Sequence, residues 1–328
     1  MIKDRNIADD AQIAIHKVIG AGRPQRTNTY AYYVDGTYGS DSNDGRSPSH
    51  AKKTIQSAVT DAGEGGTVYV FPKVHTDYTG DPVSYAETVI IPYTHSNLAI
   101  IGVGRGRVQG GLPQIKIGSG AVALLTVRAP GCGIYNIGFN SSGSTGGCIL
   151  LDDDYSTKSA FGTTIKNCHF KNSVNGTAAS DGGAIQWSAA GNAGQVQISN
   201  CQFYRNCCDI CILGTSSTVP QDVVIKDCIF SADAAIADCN IYAGGSGFGG
   251  GLIIDNCIFP KQPAKGTTDR FTNITCYGTA GTGIISNCVF GAAGTTTGYG
   301  AAKATAIIGT TIEICKCYSD AGLIVRET

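Results

Sequence analysis

The sequence predicts an all-β fold, a single-stranded right-handed parallel β-helix (solenoid) with a short N-terminal capping helix and an extended N-terminal anchor. Three observations carry this. A short frame recurs along the chain with a variable loop in each copy, which is the mark of a repeat protein. The frame has the alternation of a strand and is too short for a helix. The chain is also dominated by small residues, with 45 Gly in 328, as closely spaced turns require.

The frame is Ile, any residue, Asn or Asp, Cys, any residue, Phe. It reads Ile165-Lys166-Asn167-Cys168-His169-Phe170, Ile198-Ser199-Asn200-Cys201-Gln202-Phe203 and Ile225-Lys226-Asp227-Cys228-Ile229-Phe230. It returns as Ile254-Asp255-Asn256-Cys257-Ile258-Phe259 and Ile285-Ser286-Asn287-Cys288-Val289-Phe290, then in degraded form as Ile312-Glu313-Ile314-Cys315-Lys316-Cys317. Earlier relatives with Ile in the Cys slot start at Leu98 and Ile134. Successive starts lie 36, 31, 33, 27, 29, 31 and 27 residues apart. Each frame is read as one strand with a turn-prone polar residue inside it. A second short strand follows in many copies, as in Cys148-Ile149-Leu150-Leu151, Ala184-Ile185-Gln186-Trp187, Ile210-Cys211-Ile212-Leu213 and Asn240-Ile241-Tyr242. Eight starts stacked at strand spacing give a rod section of roughly 34 Å.

Stacking accounts for the cysteines. Side chains in one ladder have parallel Cβ vectors, whereas a disulfide needs a close, twisted pair. Cys168, Cys201, Cys228, Cys257, Cys288 and Cys315 are therefore expected as a buried thiol ladder, beside a stack of Phe170, Phe203, Phe230, Phe259 and Phe290. Cys207, Cys208 and Cys211 form the one tight cluster, but no second pair or nearby His completes a zinc set, so no metal is expected. Unpaired thiols point to assembly in a reducing cytoplasm.

Ahead of the repeats, Ile55, Ala58 and Val59 are spaced for a short helix with one buried face, which would cover the open end of the first coil. Gly65–Pro72 and Ala86–Pro92 read as strands. Asp41, Asn43, Asp44 and Gly45 lack the Glu of a calcium loop and read as a capped turn. The organisation expected is an anchoring and oligomerisation segment with its linker over 1–28, a cap and first coils over 29–97, and repeats over 98–328.

The segment from Tyr33 to Pro92, with the repeats, resembles pectin-lyase-like β-helix proteins, including bacteriophage tailspikes. The resemblance implies the fold and leaves the activity open. Residues 1 to 20 set Ile2, Ile7, Ala11, Ile13, Ile15 and Val18 among charges such as Asp4, Asp9, Asp10 and Lys17. The string from Ile2 to Val18 is similar to N-terminal segments of phage fibre, spike and capsid-decoration proteins. It implies that Ile2, Ile7, Ala11, Ile13, Ile15 and Lys17 anchor a trimeric appendage to a virion.

Composition narrows function further. Lys plus Arg is 24 and Asp plus Glu is 25, a net charge of -1, so neither a nucleic-acid-neutralising surface nor an acidic tail is implied. No apolar run reaches the length of a membrane span, and the opening residues lack the core of a secretion signal, so neither membrane insertion nor export is expected. No cofactor motif is present. The candidate acid-base residues are Asp152, Asp153 and Asp154 after one second-strand segment and Asp181 and Asp209 before the next ones. Trp187 lies between them as a sugar-stacking residue. Solvated turns are the favoured explanation of the acidic residues, and His169 is expected to face solvent beside Lys171, so the reading leans against catalysis. The sixteen residues after Ile312 leave little room for a separate C-terminal trimerisation region. Function is expected to be that of a phage virion structural protein, a homotrimeric capsid-decoration or head-spike rod. It would be assembled in the host cytoplasm, joined to a capsid or tail protein through its N-terminus, and exposed on the virion surface to a host glycan. Alternatives are a compact tailspike or receptor-binding protein, and a polysaccharide lyase or glycoside hydrolase. Binding is expected in the variable loops near 141–146, 171–182, 214–220, 243–250, 261–270 and 291–300.

Overall fold

Asn136, Asn167, Asn200, Asp227, Asn256 and Asn287 all have φ between 50° and 56°, the left-handed region that Asn and Asp tolerate best among residues with a side chain. The polar residue of the repeated frame is therefore a corner between two strands. The frame's single expected strand is two strands meeting at a sharp turn, and each full coil has three. The computed structural model describes residues 30–74, 83–104, 111–118, 120, 122–142, 146–155, 158–173, 183–188, 193–214, 220–231, 239–245, 250–259, 272–276, 282–291, 307–308, 312–319 and 322–324.

The chain winds as a right-handed parallel β-helix with three sheets. The first sheet has ten strands, from Ala31–Val34 to Ile312–Cys315, and includes the residues just before each Asn corner. The second also has ten, from Ser84–Tyr85 to Gly322–Ile324, and starts just after the corner with segments such as His169–Lys171, Gln202–Tyr204 and Ile229–Ser231. The third has eight, among them Ile149–Leu151, Gly183–Trp187, Cys208–Gly214, Cys239–Gly245 and Thr272–Cys276. Within these three sheets all described neighbours are parallel except Gly322–Ile324, which folds back antiparallel on Cys317–Ser319 and occupies the last edge of the second sheet. Ten rungs correspond to a stack of about 43 Å.

Register explains the core. Ile134, Ile165, Ile198, Ile225, Ile254 and Ile285 pair in succession and are buried. Beyond the corner, Phe139, Phe170, Phe203, Phe230, Phe259 and Phe290 stack with ring centroids 5.2, 5.0, 4.9, 4.8 and 4.7 Å apart. That spacing is both the strand repeat and a favourable offset-stack distance, so one geometry satisfies the backbone ladder and the rings. Each ladder thiol lies against two carbonyls. Cys201 Sγ is 3.3 Å from Ser199 O and 3.9 Å from Ile165 O of the previous coil, and Cys228 Sγ is 3.3 Å from Lys226 O. A small apolar side chain with a weak S–H donor suits a slot behind a tight turn, where the carbonyl two residues back already accepts the corner amide of the coil before, as Ser199 O does from Asn167 N at 3.1 Å.

The frame is out by two residues at both ends. Ile285 pairs with Ile314 and Ser286 with Cys315, Lys316 takes the left-handed corner at φ 51°, and Cys317 fills the ladder slot. Cys317 is buried and its Sγ is 3.5 Å from Ile285 O, whereas Cys315 is exposed and is not part of the ladder. Likewise Ile134 pairs with Ile100, not Leu98.

The capping helix α1 spans Ile55–Ala62 and buries Ile55, Ala58, Val59 and Ala62. It packs on Ala31–Val34, Thr67–Val70 and Val89–Ile91. Its first amides are held by one carboxylate, with Ile55 N donating to Glu87 Oε1 and Gln56 N to Glu87 Oε2, each 2.9 Å, while Thr54 Oγ1 accepts from Ser57 N. Asp41 closes the preceding turn by accepting from Lys53 N and Thr54 N at 3.0 and 2.9 Å, as the capped-turn reading requires. Among the described residues no helix is long and apolar enough to cross a membrane.

Candidate functional site

The described acidic candidates do not converge. Asp152 follows Ile149–Leu151 at the far end of a third-sheet strand and accepts from Arg128 Nε at 3.1 Å. Asp209 lies near the start of Cys208–Gly214, two rungs away. The register sets them four residues apart along the strand and two strands apart across it, about 16 Å in all. Flanking a glycosidic bond requires about 5–9.5 Å. Asp153 begins a small antiparallel hairpin, Asp153–Tyr155 with Lys158–Ser159, and Asp154 lies on the same strand. Asp181 lies outside the described residues.

Two of the expected surface residues are interior. Trp187 is fully buried and donates from Nε1 to Ala193 O at 2.7 Å, so it packs the core and stacks on no sugar. Asp209, read as a solvated turn former, is buried too. It accepts from Asn206 Nδ2 at 2.8 Å and from Asn240 Nδ2 at 2.7 Å, and Asn273 Nδ2 donates to Asn240 Oδ1 at 2.9 Å. Burial pushes its carboxyl up to about 8, against the opposing pull of the two amides.

The cysteine cluster is a core feature. All fourteen thiols are free. Cys208 and Cys239 face each other across adjacent strands with sulfurs 3.3 Å apart, packed with Cys211, Leu213 and Tyr242. Burial raises the Cys208 thiol well above its ordinary range. Among the described residues no group of three or more His, Cys, Asp or Glu is arranged to hold a metal ion.

The feature that sequence reasoning missed is the outer face of the second sheet. The position after each ladder Cys points outward, forming a column of His169, Gln202, Ile229, Ile258, Val289 and Tyr318. A second column holds Lys171, Tyr204 and Ser231. The first three rungs enclose a cavity of about 400 Å³ above Phe203. His169 and Lys171 are buried there, contrary to the expectation that His169 faces solvent, while Tyr204 is 50% exposed. The later rungs are apolar and open, with Ile258 50%, Val289 49% and Tyr318 51% exposed. Across the Asn corner, Ile253 and Ile284 add a shorter exposed apolar column on the first sheet. The signal was present in the frame, since its variable slot runs from polar to aliphatic along the chain.

The proposed anchor residues Ile2, Ile7, Ala11, Ile13, Ile15 and Lys17 lie outside the described residues. Most of the variable loops do as well, although Lys171, Gly214 and Ala243–Gly245 belong to strands.

No protein-family model matches the chain, and no curated protein matches it in sequence. Among solved structures, a rhamnogalacturonan lyase aligns over 80% of this chain and 68% of its own, at 13% identity and a TM-score of 0.55. A pectin methylesterase from Aspergillus niger aligns over 94% and 91%, at 12% identity and a TM-score of 0.41. The ORF18 protein of Geobacillus virus E2 aligns over 88% and 61%, at 14% identity and a TM-score of 0.40. The fold is that of the pectin-lyase-like β-helices.

Proposed function

We propose that this chain is a bacteriophage virion surface protein, a capsid-decoration or head-spike rod that works as a homotrimer and is joined to a capsid or tail protein through residues 1–28. The observation that carries the reading is the exposed apolar column of Ile229, Ile258, Val289 and Tyr318. It runs parallel to the solenoid axis, so a rotation axis in the same direction brings each rung of one copy level with the same rung of the next. Ile253 and Ile284 flank the other side of the same corner, and a corner with two apolar flanks suits a closed ring in which one flank of each copy meets the other flank of its neighbour.

The similarity of the Ile2–Val18 string to phage anchoring segments supports the virion setting, and fourteen unpaired cysteines agree with assembly in a reducing host cytoplasm. The scattering of Asp152, Asp209 and Trp187 favours a binding or structural role over a lyase or hydrolase. Light scattering after size exclusion tests the association. The full chain is expected at three times its sequence mass, and Ile258→Asp with Val289→Asp at one. A monomeric full chain would count against a pre-assembled trimer.

A further inference from the structure

The two longest strands of the third sheet, Cys208–Gly214 and Cys239–Gly245, lie parallel and in register, with Cys208 opposite Cys239. Their Cα atoms are therefore at strand spacing, about 4.8 Å, inside the span of about 4.4–6.8 Å that disulfides occupy. Side chains that simply stack would keep their sulfurs at that same spacing, yet these two sulfurs are 3.3 Å apart. They lean toward each other. Their column also isolates them, since it runs Gly183, Cys208, Cys239, Thr272. Each sulfur thus has one thiol neighbour in its column, whereas a corner-ladder thiol such as Cys228 stands between those of Cys201 and Cys257. Both residues are buried, packed with Cys211, Leu213 and Tyr242, and both thiols are free.

We propose that Cys208 and Cys239 form a disulfide between successive coils when the folded chain meets a peroxide. The sulfurs must close from 3.3 Å to a bond of about 2.0 Å, a change that rotation of the two side chains supplies without moving the strands apart. One thiol, as its thiolate, attacks the peroxide and takes up one oxygen as a sulfenic acid, and the hydroxide released leaves with the thiol's proton as water. The second sulfur then attacks the sulfenic sulfur, the S–S bond forms, and a second water leaves. Two thiols are oxidised and one peroxide is reduced to two waters, so no other co-reactant enters. Peroxide is neutral and little larger than water, and brief local opening of the coils admits it. Burial raises the Cys208 thiol, so the first step is slow, but a sulfenic acid formed at either sulfur is captured by the one beside it. Cys211 does not compete. It lies three residues along the strand from Cys208, about 10 Å between Cα atoms, beyond the reach of a disulfide. The bond would join residues 31 apart in the chain and so tie one coil to the next.

The inference rests on the virion reading only for its setting, in which the pair is reduced during assembly in the cytoplasm and oxidised after release. The test is peptide mapping of the full chain by mass spectrometry. The native protein is treated with hydrogen peroxide and then with catalase, its remaining thiols are alkylated in denaturant, and it is digested without reductant. The predominant cross-link expected joins the peptides holding Cys208 and Cys239, lighter by two hydrogens than the two thiol peptides together. It should be absent before treatment, vanish with dithiothreitol, and be lost in Cys239→Ala, where Cys208 is recovered unlinked. Fragment ions place the bond at Cys208 and not at Cys207. Recovery of Cys208 and Cys239 as alkylated thiols, their conversion to sulfinic acids without a cross-link, or a bond placed at Cys207 or Cys211 would overturn the inference. None of these outcomes bears on whether the chain is found in virions, which particle analysis reads separately.

Discussion

Cys317 and Cys288 occupy one slot in successive coils. Cys288 Sγ lies 3.9 Å from Ile254 O and Cys317 Sγ lies 3.5 Å from Ile285 O, each facing the carbonyl of the coil before. Cys315, two residues earlier in the chain, is turned to solvent. The thiols are thus sorted by geometry. Titration of the native protein with an aromatic disulfide reagent is expected to show one fast thiol, ahead of the part-exposed Cys276, whose thiol burial pushes up to about 12; Cys315→Ser removes the fast phase and Cys317→Ser does not. Denaturation should expose all fourteen. A fast thiol that survives Cys315→Ser would contradict the register.

The aromatic stack should carry much of the stability. Phe203 is buried between Phe170 and Phe230 with centroids 5.0 and 4.9 Å away. Phe203→Ala removes contacts on both sides and leaves a cavity, at a cost of about 3–5 kcal/mol. Among the described residues Phe290 has one ring neighbour in the stack, Phe259, so Phe290→Ala should cost less. Denaturant midpoints of the two variants decide the order.

At the corners, backbone strain should dominate over side-chain contacts. Asn200 sits at φ 53°, where a Cβ without a local hydrogen-bonding group costs about 1–2 kcal/mol. Asn200→Ala should lower stability by that amount, and Asn200→Gly by a few tenths of a kcal/mol or less. Equal losses for the two would mean that the amide side chain, not the φ angle, matters.

Asp209 makes stability depend on pH. Burial raises its carboxyl from 3.8 to about 8 in the folded chain. Between those values the folded state keeps a proton that the unfolded state has released, so stability falls as pH rises from about 4 to about 8 and levels off above. Asp209→Asn keeps the shape and removes the titration. Thermal unfolding across that range should fall for the wild type and show a flatter profile for the variant. Superimposable profiles would contradict the buried carboxyl.

How much of this was legible depends on what a strand pattern encodes. The Phe stack and the thiol ladder were readable because five copies preserve the corner residue, and position relative to that corner fixes which side chains point inward. The two terminal copies were read two residues out of frame for a physical reason. A shift of two keeps every side chain on the same face, so Leu98 and Ile100, or Ile312 and Ile314, satisfy the apolar alternation equally well. At the last copy the left-handed residue, Lys316, distinguishes the frames, and at the first the pairing of Ile100 with Ile134 does. Trp187 was misplaced although Ile185, two residues before it, shares its inward face. Asp209 was misplaced because an acidic residue at a strand start usually marks the surface, and its Asn206 and Asn240 partners come together only through the winding of the coils. The outer columns of the second sheet needed the register to be seen as columns at all.

The most direct measurement of the central claim is mass spectrometry of phage particles purified by density gradient from the cells that produce this chain, with antibody labelling of the same particles. The account predicts peptides of the chain at a stoichiometry that is a multiple of three per attachment site, and label on the particle surface. Finding the chain only in the particle-free fraction, with unlabelled virions, would contradict it.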